Sequence, residues 1–264
     1  MTLKGKFKAN IEEQLQIVDL YKSGLSQQQI CNKFNGYFAR RTIGNILKYY
    51  NVEARNKNYN KDYFNEDYFK IIDNQNKAYF IGLLLADGNI YKRHGSEPTI
   101  RIELNSRDKY IIEKFKEELK SKNTISNTAK NCVSFRIISQ KMANDLSKYY
   151  IIPNKTFKTQ LPILEEKYMS HLIRGIFDGD GWVSGYLSKS GRTPFGFCGT
   201  ELLVTQIRDY LSDKINIHKA KIGLYEGKIP QILYNSINDV KTFYNYLYQD
   251  AELYLIRKKE KFII

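Results

Sequence analysis

Histidine and cysteine are scarce. The 264-residue chain holds 3 of each, and neither set is clustered. Cys31, Cys132 and Cys198 stand far apart with no C-x-x-C pair, which suits a reducing compartment and argues against structural zinc. His94, His171 and His218 are equally scattered. A histidine–metal nuclease centre or a histidine-based triad is therefore not expected, and each imidazole reads as a surface or core residue. Long apolar runs are also missing. No stretch of about 18 apolar residues could cross a bilayer, and the opening MTLKGKFKAN lacks the apolar core of a secretion signal. A soluble protein of the cytoplasm or an organelle is expected. Acids are outnumbered, with 28 Asp+Glu against 42 Lys+Arg and a formal net charge of +14. That excess points to a polyanionic partner, and without a membrane segment nucleic acid is favoured over lipid.

What the chain does have is apolar residues (42%) and aromatics (14%), enough for one large core or two smaller ones. It also has a repeat. YFIGLLLADGNIY (79–91) and HLIRGIFDGDGWV (171–183) share one shape. Gly82 lies five residues before Asp87, Gly175 lies five before Asp180, and both pairs are offset by 93 residues. Such self-similarity marks internal duplication.

Ahead of the repeats, residues 11–50 read as three short helices. Leu15, Val18 and Tyr21 have helical spacing, Ser23-Gly24 is a stop, Ser26 caps a second helix carrying Ile30 and Phe34, and Gly36 allows a turn. A third helix turns Ile43, Ile46 and Leu47 inward and leaves Arg40, Arg41, Asn45 and Lys48 outward. This is either a helix-turn-helix reader of DNA or a small bundle with a basic solvated face. Residues 51–69 are polar, with Asn, Lys and aromatics but almost no aliphatics. They read as a linker, either laid along a nucleic acid backbone or a plain tether. The expected domains are 1–52, a linker 53–70, a first repeat 71–153 and a second repeat 154–264.

Each repeat reads as α-β-β-α-β-β-α. TIRIELN alternates strictly, so Arg101, Glu103 and Asn105 face out. CVSFRII likewise leaves Ser134 and Arg136 outside, and Lys221 opens a later strand of the second half. These residues are the candidate DNA contacts. Both sheets are expected to be antiparallel, with one polar, basic face and one apolar face packed under helices.

The two repeated helices are apolar around most of their circumference, so both should be buried. Gly82 and Ala86 are small and four apart, as are Gly175 and Gly179. Such pairs let helix backbones approach closer than the usual ~8–10 Å. The helices should pack together about a pseudo-twofold axis, delivering Asp87 and Asp180 side by side. Two adjacent carboxylates repel unless a cation lies between them, and a hard divalent ion such as Mg²⁺ suits them. Metal-assisted phosphodiester hydrolysis follows as the expected chemistry. The opposing reading makes each Asp-Gly a local turn.

At Phe80–Gly88 and Ile173–Gly181 the chain resembles the LAGLIDADG family of homing endonucleases, in the single-chain form with two motifs. The likeness covers about residues 61–264. It implies an α+β fold with two pseudo-symmetric αββαββα repeats. These form a DNA-binding saddle of two antiparallel sheets, and the all-α helix-turn-helix domain is an appendage. It further implies a site-specific endonuclease cutting both strands of a long, asymmetric target across the minor groove, leaving short 3′ overhangs. Asp87 and Asp180 would be the catalytic acids. The metal site would include Ala86 and Gly179 and hold two or three divalent ions, Mg²⁺ or Mn²⁺ in its place. Lys155, and Lys258 or Arg257, are the implied assisting cations; Ser106 and Glu201 are weaker polar candidates. Asp178, where the first motif has Leu85, reads as a cap. A monomer is expected. An intron-splicing maturase binding host RNA, and a catalytically silent DNA-binding regulator, are the alternative functions.

Overall fold

The chain divides into two compact units, Met1–Lys61 and Asp62–Ile264. The computed structural model describes residues 8–53, 64–128, 131–155, 158–184 and 193–262.

The first unit is a three-helix cluster. Helix α1 (Ile11–Lys22) starts at a capping box between Asn10 and Glu13, and α2 (Gln27–Lys33) at one between Ser26 and Gln29. Helix α3 spans Arg40–Tyr49. Gly24 (φ +113°) and Gly36 (φ +77°) make the two turns in a backbone region that side chains disfavour. Ile17, Ile30, Phe38, Ile43 and Ile46 fill the centre. Leu15, expected inward, is 47% exposed. The buried stripe of α1 is Gln14, Ile17, Val18 and Tyr21, which is the true i, i+3, i+4, i+7 face. Gln14 fits there because its amide donates to the Ala9 carbonyl (2.8 Å). Arg40, Arg41, Asn45 and Lys48 are all exposed on α3.

The second unit repeats one pattern. The first half is α4 (Gln75–Asp87), β1 (Gly88–Tyr91), β2 (Thr99–Asn105), a 3₁₀ turn (Ser106–Asp108), α5 (Lys109–Glu118), β3 (Ser126–Thr128), β4 (Cys132–Ile138) and α6 (Gln140–Ser147). The second is α7 (Glu166–Asp180), β5 (Gly181–Val183), β6 (Phe195–Cys198), α8 (Glu201–Ile215), β7 (Ile222–Tyr225), β8 (Ile229–Tyr234) and α9 (Ile237–Tyr248), followed by the short α10 (Ile256–Lys259). The sheets have orders β1-β2-β4-β3 and β5-β6-β8-β7, all antiparallel. This is the expected α+β architecture of two αββαββα repeats. The duplicated helices lie in the shared core with Ile100, Ile102, Phe135, Phe195, Phe197 and Ile232 from the sheets' inner faces.

Three details differ from the sequence reading. Residues 54–63 of the expected linker lie outside the described residues, but Phe64, Tyr68 and Phe69 are core. Phe69 packs on Phe115 with ring centroids 6.1 Å apart, so aromatics stand in for the missing aliphatics. Strand β3 has no apolar alternation to announce it, being a three-residue edge strand. The outer face of the second sheet is not basic: Trp182, Gly196, Leu233 and Gln231 face out, and no described strand residue on that side is charged.

Candidate metal centre and its supporting lysines

The site begins with a glycine seam. A Cβ on Gly82 would lie 2.1 Å from the Leu172 carbonyl oxygen, and one on Gly175 would lie 2.1 Å from that of Tyr79. Neither helix could sit where it does with alanine there, because backbone cannot yield as a flexible side chain can. Further along the same seam, a Cβ on Gly179 would meet the Ala86 methyl at 2.2 Å and Asp87 Oδ2 at 3.2 Å. Gly179 thus keeps open the space beside the first acid. As each helix ends on its acid, the next residue starts a strand: Gly88 opens β1 and Gly181 opens β5.

Both acids are open to solvent at the helix ends while crowded by protein on their other sides. Crowding first, and then the charge of Asp180, hold the Asp87 carboxyl up at about 6, against the pull of Lys258, Lys155 and Arg257. Desolvation also raises Asp180, opposed by Lys155 and Lys258. At Asp87 the like-charge contribution of Asp180 marks two carboxylates that lie close together.

Two lysines approach the pair from below. Lys155 Nζ donates to the Ala86 carbonyl (2.9 Å). Lys258 Nζ donates to the carbonyls of Phe177 (2.6 Å), Gly179 (3.3 Å) and Gly181. Burial lowers Lys155 below the ordinary lysine range and pushes Lys258 down to about 8. Each lysine hangs from a segment that crosses to the other half. After Lys155 the chain docks on α8: Thr200 Oγ1 donates to the Thr159 carbonyl (3.2 Å) and the Leu161 N–H to Gln206 Oε1 (2.8 Å). Before Lys258 it docks on α5: Tyr110 Oη donates to the Tyr254 carbonyl (2.9 Å) and accepts from the Ile256 N–H (2.8 Å). Arg257 is committed elsewhere, since its Nε donates to buried Asp108 (2.9 Å). Of the two C-terminal candidates, Lys258 is the one beside the acids.

Asp178 is not a helix cap. It is buried, and its Oδ2 accepts from the Tyr79 hydroxyl (2.8 Å) and the Leu255 N–H (2.8 Å). It therefore pins α4, α7 and the start of α10 together, three residues before Lys258. Next to it, buried Arg174 donates to the Leu253 (2.6 Å) and Leu247 (2.8 Å) carbonyls. Sequence reasoning missed this knot. Its only trace was an acid at an apolar motif position and a lone arginine one helical turn earlier.

Among the described residues, no group of three His, Cys, Asp or Glu assembles. A metal at the acids would take two carboxylates and draw its other ligands from carbonyls, water or a bound phosphate. That all-oxygen donor set fits a hard divalent cation. The Ala86 and Gly179 carbonyls are present at the site, each already accepting from a lysine; a carbonyl oxygen has a second lone pair to offer.

The proposed sheet contacts are divided. Arg101 pairs with Glu103 on the outer face, opposite exposed Arg136. Ser134 shares that face but is 7% exposed, and the Asn105 side chain caps the 3₁₀ turn by accepting from the Arg107 N–H (3.2 Å). Lys221 is exposed just before β7. Ser106 and Glu201 open the 3₁₀ turn and α8, equivalent points of the two halves.

A pair of four-stranded antiparallel sheets joined by a central two-helix seam, with one acid ending each helix, defines a two-repeat α+β saddle fold. That fold is the LAGLIDADG fold. No family model matches the chain, and no curated protein matches it in sequence. Solved structures match it in fold. One is the LAGLIDADG meganuclease I-AabMI bound to uncleaved DNA, with TM-score 0.50 and 13% identity over 71% of this chain and 87% of that one. Another is the LAGLIDADG homing endonuclease I-SmaMI bound to cleaved DNA, with TM-score 0.52 and 12% identity over 71% and 86%.

Proposed function

We propose that the protein is a divalent-metal-dependent, site-specific DNA endonuclease. The observation that carries the proposal is the convergence of Asp87 and Asp180 at one end of a glycine-sealed helix pair, where crowding raises both carboxyls and the charge of Asp180 adds to the rise at Asp87. A protein gains nothing from holding two repelling acids together unless a cation joins them. The names of the similar structures, both nucleases with DNA, agree with this reading.

Asp87 and Asp180 would hold the metal, with the Ala86 and Gly179 carbonyls beside them. The ions, two or three of Mg²⁺ or Mn²⁺, would supply an activated water and charge neutralisation at the scissile phosphate. Lys155 and Lys258 brace the carbonyls next to the acids, so the acids keep their spacing, and add positive charge near a developing oxyanion. The pseudo-twofold relation of the acids suits cleavage of both strands across the minor groove, leaving short 3′ overhangs. Because the two halves differ in sequence, one chain would read a long asymmetric target as a monomer. In the first unit, exposed Arg40, Arg41, Asn45 and Lys48 suit a helix-turn-helix contact that adds affinity to this footprint.

The test uses supercoiled plasmid libraries with randomised inserts and Mg²⁺. Linearised products sharing one sequence are expected, with none when chelator replaces Mg²⁺ or Asn replaces Asp87. Equal products from the wild type and Asp87→Asn would end the nuclease reading.

A further inference from the structure

The two sheets share one register, so their outer faces can be compared residue by residue. Gly88 pairs with Ile102, and Gly181 with Phe197. One step further from the acids, the row Asn89–Arg101–Arg136 crosses the first sheet. The equivalent row of the second sheet is Trp182–Gly196–Leu233. The first row offers an amide and two guanidiniums. The second offers an indole, no side chain and an isobutyl group. Back towards the acids, Glu103–Ser134–Ser126 corresponds to Cys198–Gln231–Gly223, where the Gln231 amide is the one strongly polar group of the second row. At the hairpin end, Ile229 and Tyr225 extend the second face, 46% and 47% exposed.

The apolar face is built rather than accidental. A Cβ at Gly196 would meet the Trp182 ring at 3.1 Å, so the missing side chain lets the indole lie across β6. The indole is also tied to the Cys198 thiol by a hydrogen bond. Leu233 beside it is 40% exposed. An apolar patch left open on a strongly basic chain calls for a defined occupant. It is continuous with the acid end of α7, since Trp182 stands two residues after Asp180.

We infer that the two sheets read DNA by different chemistry: the first by hydrogen bonds and guanidinium contacts to base edges, the second by apolar contact with thymine 5-methyl groups. The inference rests on the nuclease reading. Major-groove edges offer both signals, since guanine N7 and O6 accept from arginine and thymine alone carries a methyl. The Trp182–Leu233 surface can donate or accept almost nothing, so the methyl is the base feature it can recognise. The bases under the Trp182–Gly196–Leu233 row are therefore thymine-rich, and those under the Asn89–Arg101–Arg136 row include guanine contacts.

The experiment takes the full chain with both acids as Asn, which binds without cutting, and selects duplexes from a randomised library. Arg136→Ala identifies the first half-site by relaxing the selected sequence there. In the other half, replacing thymine by deoxyuridine is expected to weaken binding about fourfold per contacted methyl, the worth of one buried carbon. Leu233→Ala should abolish that methyl effect while leaving the Arg136 half unchanged. Neutral deoxyuridine substitution, or a guanine-specified sequence in the second half, overturns the split readout while the nuclease reading stands. Failure to enrich any sequence overturns both.

Discussion

The two halves of the second unit solve one problem with unequal means. In the first, α4 reaches its acid through Leu85, and a single contact from Lys155 braces the Ala86 carbonyl. In the second, α7 carries Asp178 at the equivalent place, and Lys258 gathers three carbonyls. The difference lies in how each lysine is delivered. Lys155 belongs to an internal connection whose continuation is held on α8. Lys258 follows a segment held by the Asp178–Leu255 and Tyr110–Ile256 bonds. A duplicated fold can thus keep equivalent acids and still need a buried anchor in only one half.

The largest effect should come from the acids themselves. Asp87→Asn and Asp180→Asn should each lower cleavage by on the order of 10³-fold or more, as loss of a metal ligand does. Asp87→Asn should nevertheless melt higher than wild type in chelator, because one of two repelling carboxylates is gone. A lower melting point would show that the pair is not strained.

The seam should be nearly as intolerant. Gly82→Ala and Gly175→Ala should each cost about 3 kcal/mol or more, measured by urea unfolding, since the new methyl meets backbone oxygen at 2.1 Å. Equal costs in both would confirm that the seam is symmetric even where its ends are not.

The anchor separates the halves. Asp178→Leu copies the first motif but strands the Leu255 N–H and the Tyr79 hydroxyl in the core, at about 2–4 kcal/mol. Leu85→Asn, placed where no partner waits, should destabilise without any gain. By the same reasoning, Lys258→Met should reduce cleavage more than Lys155→Met, with DNA binding little changed; the reverse order would place the working cation in the first half.

The smallest effect is a slope. Burial, aided by Arg174, pushes His171 down to about 4, and its Nδ1 faces Arg174 Nη2 at 2.8 Å. The unfolded chain binds this proton at about 6.5, so stability is full above that pH and falls as pH drops from about 6.5 towards 4. The slope cannot exceed about 1.4 kcal/mol per pH unit. His171→Gln should flatten that part of the stability curve.

Much of this was legible in the sequence, and its legibility has a local cause. The repeat of Gly82 and Asp87 in Gly175 and Asp180 is a spacing, and helical spacing alone places a glycine on the same face as the small residue four later. Strand alternation in TIRIELN likewise assigned Arg101 and Glu103 to one side. Asp178, Tyr79 and Lys258 carried no such period. Their partnership spans 77 to 99 residues, and no pattern along the chain marks which buried donor meets which acceptor.

The sequence by itself determined the duplication, the helix–strand order, the glycine seam and the paired acids, because each follows from local periodicity or from one spacing repeated 93 residues later. Tertiary structure alone decided that Lys258 rather than Arg257 faces the acids, that Asp178 is an anchor, that Phe64, Tyr68 and Phe69 are core, and that the second sheet presents a largely apolar face. Those outcomes depend on which distant segments cross and which strand edges align, and burial settles both only when the whole core closes.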